Sequence, residues 1–270
     1  MSFYTSLNGL KNAQTELGVI SHNIANAETN GFKKSRTEFA DIVAGSAFTN
    51  PRMTKGVGAA VEKIDQNFAL GPIEQTGSAL DLAINGDGFF TTKNAVTGQA
   101  LFTRNGSFSI DSAGFVNDGS NNRLQAFPTS ATGVVTSTTP IDVQVPTVNA
   151  AGAQFAGLTV GNDGNVTASF ADGTNTVLGK VALASFVAPN GLKQEGSSNW
   201  TATGISGAPT YGQPASGQYG ALLSGALERS NVDIAEELVG LITAQRDFQA
   251  NAKAIDTANQ ISQTIINLRT

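Results

Sequence analysis

From Ser230 to Thr270 the apolar and small residues recur at alternating steps of four and three. Ile234, Leu238, Leu241, Gln245, Phe248, Ala252 and Ile255 come first; after a phase shift the pattern resumes through Ala258, Ile261, Ile265 and Leu268. This spacing predicts one long amphipathic helix with a narrow seam. A slip of register changes the local winding of such a helix rather than ending it. No Pro or Gly follows Gly240, and Ser230 with Asp233 three residues on reads as a capping pattern. Asp233, Glu236 and Glu237 stand where a helix N-terminus favours negative charge. About 38 helical residues make a rod of roughly 57 Å, longer than a chain of this size needs for its own core.

The other end carries a matching pattern. Phe3, Leu7, Leu10, Gln14, Leu17, Ser21 and Ile24 repeat the spacing, Ala13 and Ile20 widen the stripe, and Asn30-Gly31 is a turn signal that ends the helix. Between the ends the periodicity changes. EFADIVAGSAF (Glu38 to Phe48) fits a short helix or a strand, the following TNPRMTKGVGA is read as loop, and VEKIDQNFAL as extended chain. Leu80, Leu82 and Ile84 alternate before Asn85-Gly86-Asp87-Gly88 and Phe89-Phe90, which reads as strand, turn and strand, and Phe102 to Ile110 reads alike around Asn105-Gly106. FSIDSAGFV (Phe108 to Val116) and LTVGNDGNV (Leu158 to Val166) echo one another as two hairpins, and Leu178 to Phe186 alternates as a buried strand. Closely spaced hairpins predict an antiparallel barrel or sandwich. The fold class is therefore α+β: long N- and C-terminal helices paired as a coiled-coil-like hairpin, with an inserted antiparallel all-β domain. The expected division is 1–28 with 231–270 as the helical part, 29–70 with 221–230 as a connecting segment, and 71–220 as the β domain.

Composition narrows the function. The chain has 270 residues, of which 14% are charged, with a net charge of -5; without a basic stripe, nucleic-acid binding is not expected. There is no Cys, which removes disulfides, thiol nucleophiles and thiolate metal sites together. No apolar run reaches the roughly 18 residues of a membrane span, and the N-terminus lacks the basic and apolar regions of a cleavable signal peptide. The single histidine, His22, lies in the N-terminal helical pattern and reads as structural rather than as a metal ligand or triad member. Asp87, Asp118, Asp163 and Asp172 each precede Gly, and with Asp81 and Asp111 read as turn residues. Asn117 to Asn121 offers oxygens at calcium-like spacing without matching an EF-hand loop, and is also read as a turn. No catalytic, cofactor or metal residues are assigned. A cell-wall glycan hydrolase, the reading from a different class, needs two carboxylates about 5–9.5 Å apart across one cleft.

Four ordered blocks carry a resemblance. Asn23-Ile24-Ala25-Asn26 followed by Thr29-Asn30-Gly31-Phe32-Lys33, then LDLAINGDGFF (Leu80 to Phe90), FTRNGSFSID (Phe102 to Asp111) and Ser224 to Ile255 resemble the bacterial flagellar rod and hook family, with Asn23, Asn26, Asn30, Gly31 and Phe32 as its N-terminal signature. ANQISQTIINLR and VLGKVALASFVAPNGLKQEGSSNWTAT look most like the hook members. The resemblance implies a non-enzymatic subunit that self-assembles into a flexible tube carrying motor torque, with the stiff distal rod as the alternative. It implies many copies of the chain as partners, together with distal rod, hook cap and hook-filament junction proteins. It also implies delivery to the extracellular flagellum by the type III export apparatus, without a cleaved signal peptide. Many hook members carry a further outer domain near Pro128 to Asn149, where a short polar link is expected here. Distal rod members carry a longer insert near Ala44 to Gly58. Self-assembly is assigned to Phe3, Leu7, Leu10, Leu17, Ile20 and Ile24 packing against Leu238, Leu241, Ile242, Phe248, Ile255, Ile265 and Leu268.

Overall fold

The computed structural model describes residues 2–44, 55–130 and 133–268. It is α+β, with two helices and a large antiparallel sheet, and its contacts group into two units. The first comprises Met1–Ala27, Lys34–Asn67 and Val232–Thr270; the second comprises Glu28–Lys33 and Phe68–Asn231.

In the first unit, helix α1 (Ser2–Ala25) packs on helix α2 (Ile234–Asn267) and on a two-stranded ribbon of β1 (Ser35–Ala44) and β2 (Lys55–Gln66). The segment open to helix or strand is thus strand as far as Ala44. β2 begins at Lys55, inside the stretch read as loop, because its residues find the ladder of β1 opposite: Lys55 pairs with Ala44 and Gln66 with Ser35. The first part of that loop reading, 49–54, and the end of the helix-or-strand segment, 45–48, lie outside the described residues. α2 has 34 residues rather than about 38, roughly 51 Å of rod. Asp233, not Ser230, is its N-cap: the carboxylate accepts from the amides of Ala235 at 2.8 Å and Glu236 at 3.2 Å. A carboxylate there satisfies two of the otherwise unbonded first-turn donors. α1 ends at Ala25, before the Asn30-Gly31 signal, with the Asn26 and Ala27 amides bonding back to the last turn.

The second unit is a β body. Its main sheet runs, neighbour to neighbour and antiparallel throughout, through Phe155–Val160, Asn165–Phe170, Asn175–Val181, Asn122–Phe127, Phe89–Asn94, Ala100–Thr103, Asn199–Thr201 and Lys193–Gly196. The two echoed hairpins form as the turn residues direct, with Ile110 opposite Val116 and Val160 opposite Val166. In both turns a Gly takes positive φ, Gly114 at 82° and Gly164 at 85°, a backbone that costs Gly little. In the other two strand-turn-strand readings the strands form, at Leu82–Asn85 and Phe89–Asn94 and at Ala100–Thr103 and Ser109–Ile110, but they do not pair with one another. Leu82–Asn85 pairs with Ala221–Ser224 and Phe89–Asn94 with Ala100–Thr103; Leu80 and Leu82 bond instead to Phe108 and Gly106. The run Pro128 to Asn149 is more than a polar link: Val143 and Val145 are buried in the main core with Phe90, Leu124, Val166 and Leu183. A second cluster gathers Phe89, Phe102, Ala184, Leu192 and Trp200.

Three ionic groups lie inside this unit. Lys33 bonds to Glu228, whose carboxylate also takes Arg104 at 3.3 Å and the Gly71 amide at 3.0 Å. Lys33 and Glu228 have no exposed side-chain surface and Arg104 has 4%. Burial pulls the Lys33 ammonium below its ordinary value; the Glu228 carboxylate opposes that, and Arg104 adds to the lowering. Gly31 is essential to this closure. Its φ is 67°, its amide donates to the Glu228 carbonyl at 2.8 Å, and a Cβ there would overlap the Asn105 backbone.

Removing Glu228 leaves two buried cations facing one another, so Glu228→Ala is expected to lower stability by about 3–5 kcal/mol in urea titration. Lys193→Ala, which breaks an exposed pair, leaves the midpoint unchanged. Asp233→Ala is expected to cost about 1 kcal/mol, seen as faster amide exchange in the first turn of α2.

Candidate functional site

The surface assigned to self-assembly lies on the helix pair, and the register of that pair decides which residues it presents. Gly9 lies against Asn251, Ile20 against Gly240 and Asn23 against Glu237. As one number rises the other falls by the same step, so the helices are antiparallel and Ser2 comes level with Ala258. The approach is close, because a Cβ on Gly9 would collide with the Asn251 side chain. The covered stripe of α2 consists of Glu237 and Ala244, buried, with Leu241, Phe248, Asn251, Ala252, Ile255 and Ala258 half-buried. Past Ala258 every residue described through Leu268 is exposed.

This divides the assigned residues into two groups. Ile20 is buried, and Leu7, Leu10, Leu17, Ile24, Leu241, Phe248 and Ile255 are half-buried. Phe3, Leu238, Ile242, Ile265 and Leu268 are exposed at 38, 45, 50, 60 and 82%. Ile234, Val239, Ile261 and Ile266, at 45, 66, 56 and 63%, share that exposure. The sequence seam is thus split: Gln245 and Leu238 turn outward while Ala244 and Glu237, outside the seam, turn inward. A polar Glu on the covered stripe has a physical reason in Asn23, which sequence periodicity treats as a spectator.

Asn23 is 1% exposed. Its amide donates to Ser35 O at 2.8 Å and Glu237 Oε2 at 3.1 Å, and its Oδ1 accepts from the Ser35 amide at 2.9 Å. One side chain therefore ties α1, α2 and the start of β1, with each bond satisfying a group that burial would otherwise penalise. Beside it Lys34 meets Glu236 at 3.0 Å. The other signature residues hold backbone too. Asn26 donates to His22 O at 2.9 Å, Asn30 accepts from Arg229 at 3.2 Å and, through its carbonyl, from Ser198 at 3.0 Å, and Phe32 is 3% exposed. His22 is exposed on the last turn of α1.

Four of the six aspartates considered for chemistry serve turns. Asp111 accepts from the Ala113 and Phe115 amides, Asp118 from Ser120 and Asn122, Asp163 from Asn165 and Asp172 from Thr174. Asp81 accepts from Thr76 at 2.5 Å. The turn at Asn117 to Asn121 is closed by these bonds and by Asn199 on Asp118 at 3.4 Å. Among the described residues no group of three or more His, Cys, Asp or Glu side chains is placed to hold a metal ion, and no helix is long and apolar enough to cross a membrane.

Comparison with known proteins gives three family matches in chain order. Residues 3–33 match the flagella basal body rod protein family, 83–168 the flagellar hook protein FlgE/F/G D1 domain, and 223–268 the flagellar basal body rod FlgEFG protein C-terminal family. The chain is 36% identical to flagellar basal-body rod protein FlgG of Bacillus subtilis (strain 168), covering 99% of this chain and 98% of that one. It is 32% identical to FlgG of Buchnera aphidicola subsp. Schizaphis graminum, over 99% of both. It is 26% identical to flagellar hook protein FlgE of Salmonella typhimurium over all of both chains, in an alignment of 411 positions that leaves well over a hundred without a counterpart here. Exposed apolar residues on a helix pair tied together by the signature residue Asn23, with four aspartates spent on turns, agree with these matches, and the chain belongs to the flagellar rod and hook family of structural axial subunits, which are not enzymes.

Proposed function

We propose that the chain is a hook subunit, polymerising into the flexible tube that passes motor torque to the filament. What supports the hook within the family is the β1–β2 ribbon: only residues 45–54 separate its strands, where the resemblance gives distal rod members a longer stiffening insert. A second reading, the distal rod, is favoured by length, since the relatives covered almost end to end at 36 and 32% identity are named rod proteins.

In either reading the outward stripe drives assembly. Fully burying a Leu or Ile side chain gains about 1.5–3 kcal/mol, so residues already half covered gain about 1 kcal/mol each. Leu238, Val239, Ile242, Ile261, Ile265, Ile266 and Leu268 together supply several kcal/mol, no more than the roughly 4–15 kcal/mol that one association costs. A single pairwise contact is therefore marginal. A tube in which each subunit touches several neighbours divides the cost, and this supports a polymer rather than a dimer. We assign 1–28 with 231–270 to a coiled-coil-like inner-tube layer, 29–70 with 221–230 to the connecting segment and 71–220 to the β domain. Sliding of polar contacts between β domains supplies the flexibility. The partners are copies of this chain within the tube, distal rod, hook cap and hook-filament junction proteins at its ends, and the type III export apparatus, which delivers the chain outside the cell without a cleaved signal.

Electron microscopy of tubes assembled from the purified protein tests the choice: curved tubes are expected, and uniformly straight ones favour the rod. Leu238→Asp with Ile242→Asp, at positions exposed in the subunit, is expected to leave thermal unfolding within about 0.5 kcal/mol of the parent while abolishing sedimentable tubes.

A further inference from the structure

The helical unit carries a charge arrangement that the apolar stripe leaves unexplained. Where α1, α2 and the β ribbon meet there is an open groove of about 290 Å³, lined by Gly9, Asn12 and Glu16 of α1, Phe39 of β1, and Asp247 and Asn251 of α2. Two carboxylates face this groove. Neither Glu16 nor Asp247 makes a side-chain hydrogen bond or ion pair among the described residues. Burial raises the Glu16 pKa above its ordinary value, and the Asp247 charge raises it further. Like charges brought together on packed helices oppose the packing. Among the described residues no cation pairs with either carboxylate to relieve that repulsion.

The complementary charge is present on the same helices. Lys11, Arg246 and Lys253 are exposed cations without an ion pair among the described residues. Of these Arg246 alone has a planar guanidinium, which can donate to two carboxylates at once, whereas an ammonium is a point charge. Arg246 adjoins Asp247 on α2, is exposed, and makes no ion pair with it.

We propose that in the assembled tube Arg246 of one copy seats in the groove of a second copy, between Glu16 and Asp247, and that this ionic contact sets the register at which the apolar stripes meet. It rests on axial polymerisation and is independent of the choice between hook and rod. Apolar faces tolerate sliding because their attraction is non-directional; a forked cation bridging two carboxylates admits one position. The repulsion in the free subunit is relieved on assembly, which favours the polymer over the monomer.

The test uses the full chain. In Glu16→Gln/Asp247→Asn the repulsion is removed, so thermal unfolding of the subunit should occur at higher temperature while the critical concentration for tube formation rises several-fold. A merely structural role for the two carboxylates would move both readouts in the same sense. Arg246→Glu should unfold like the parent and fail to form tubes. Arg246→Glu combined with Glu16→Lys and Asp247→Lys should form them again. Tubes from Arg246→Glu at the parent critical concentration, or a triple variant that folds and stays monomeric, overturn the proposal. Absence of tubes from the parent protein removes polymerisation itself, and the contact with it.

Discussion

The antiparallel contact of α1 with α2 covers one face of α2 and leaves apolar residues on its other faces bare, whereas α1 is covered on a second side by the β1–β2 ribbon. Gly9 and Gly240 bring the helices close, and Ile20, Ala13 and Ala244 fill the space between them. What remains outside includes Leu238, Val239 and Ile242 near the start of α2 and Ile261, Ile265, Ile266 and Leu268 near its end, all exposed. In the proposed polymer sister subunits cover these residues, and membership of a family of axial structural proteins supplies the setting.

Polar groups do the work of precision. Asn23 ties three elements with three hydrogen bonds, and Glu228 gathers Lys33, Arg104 and the Gly71 amide in the β unit. Replacing either with an apolar residue would leave buried donors or charges unmet, so each site accepts one arrangement of its neighbours. A structural axial subunit needs such joints to keep its shape, and apolar packing alone does not fix an orientation. In the proposed polymer the two kinds of contact have separate roles, the exposed apolar residues of α2 providing association and the buried polar nodes providing shape.

The carboxylates tell the same story in the β body. Asp111, Asp118, Asp163 and Asp172 each bond amides within their own turns. Their oxygens are occupied in holding reversals of the chain, and they lie in separate turns rather than around one cleft. The surface chemistry is that of a scaffold.

Local information in the chain was enough for both helices, for the Asp/Gly hairpins at 108–116 and 158–166, and for the turn role of Asp111, Asp118, Asp163 and Asp172, because helical period, capping and positive-φ glycines act over a few residues. It was also enough to expose the family through four ordered blocks. Contacts between distant segments were decided only by the fold. Leu82–Asn85 passes over its neighbour for Ala221–Ser224, Val143 and Val145 enter the core from a run that looks polar, and β2 reaches back to Lys55 because β1 lies opposite. The phase of the α2 seam belongs to this second class. A four-three repeat cannot tell Gln245 from Ala244 as the inward residue, since adjacent positions differ by only about 100° around the axis; the small side chain is selected by the closeness of α1, and Glu237 faces inward because Asn23 is there to receive it.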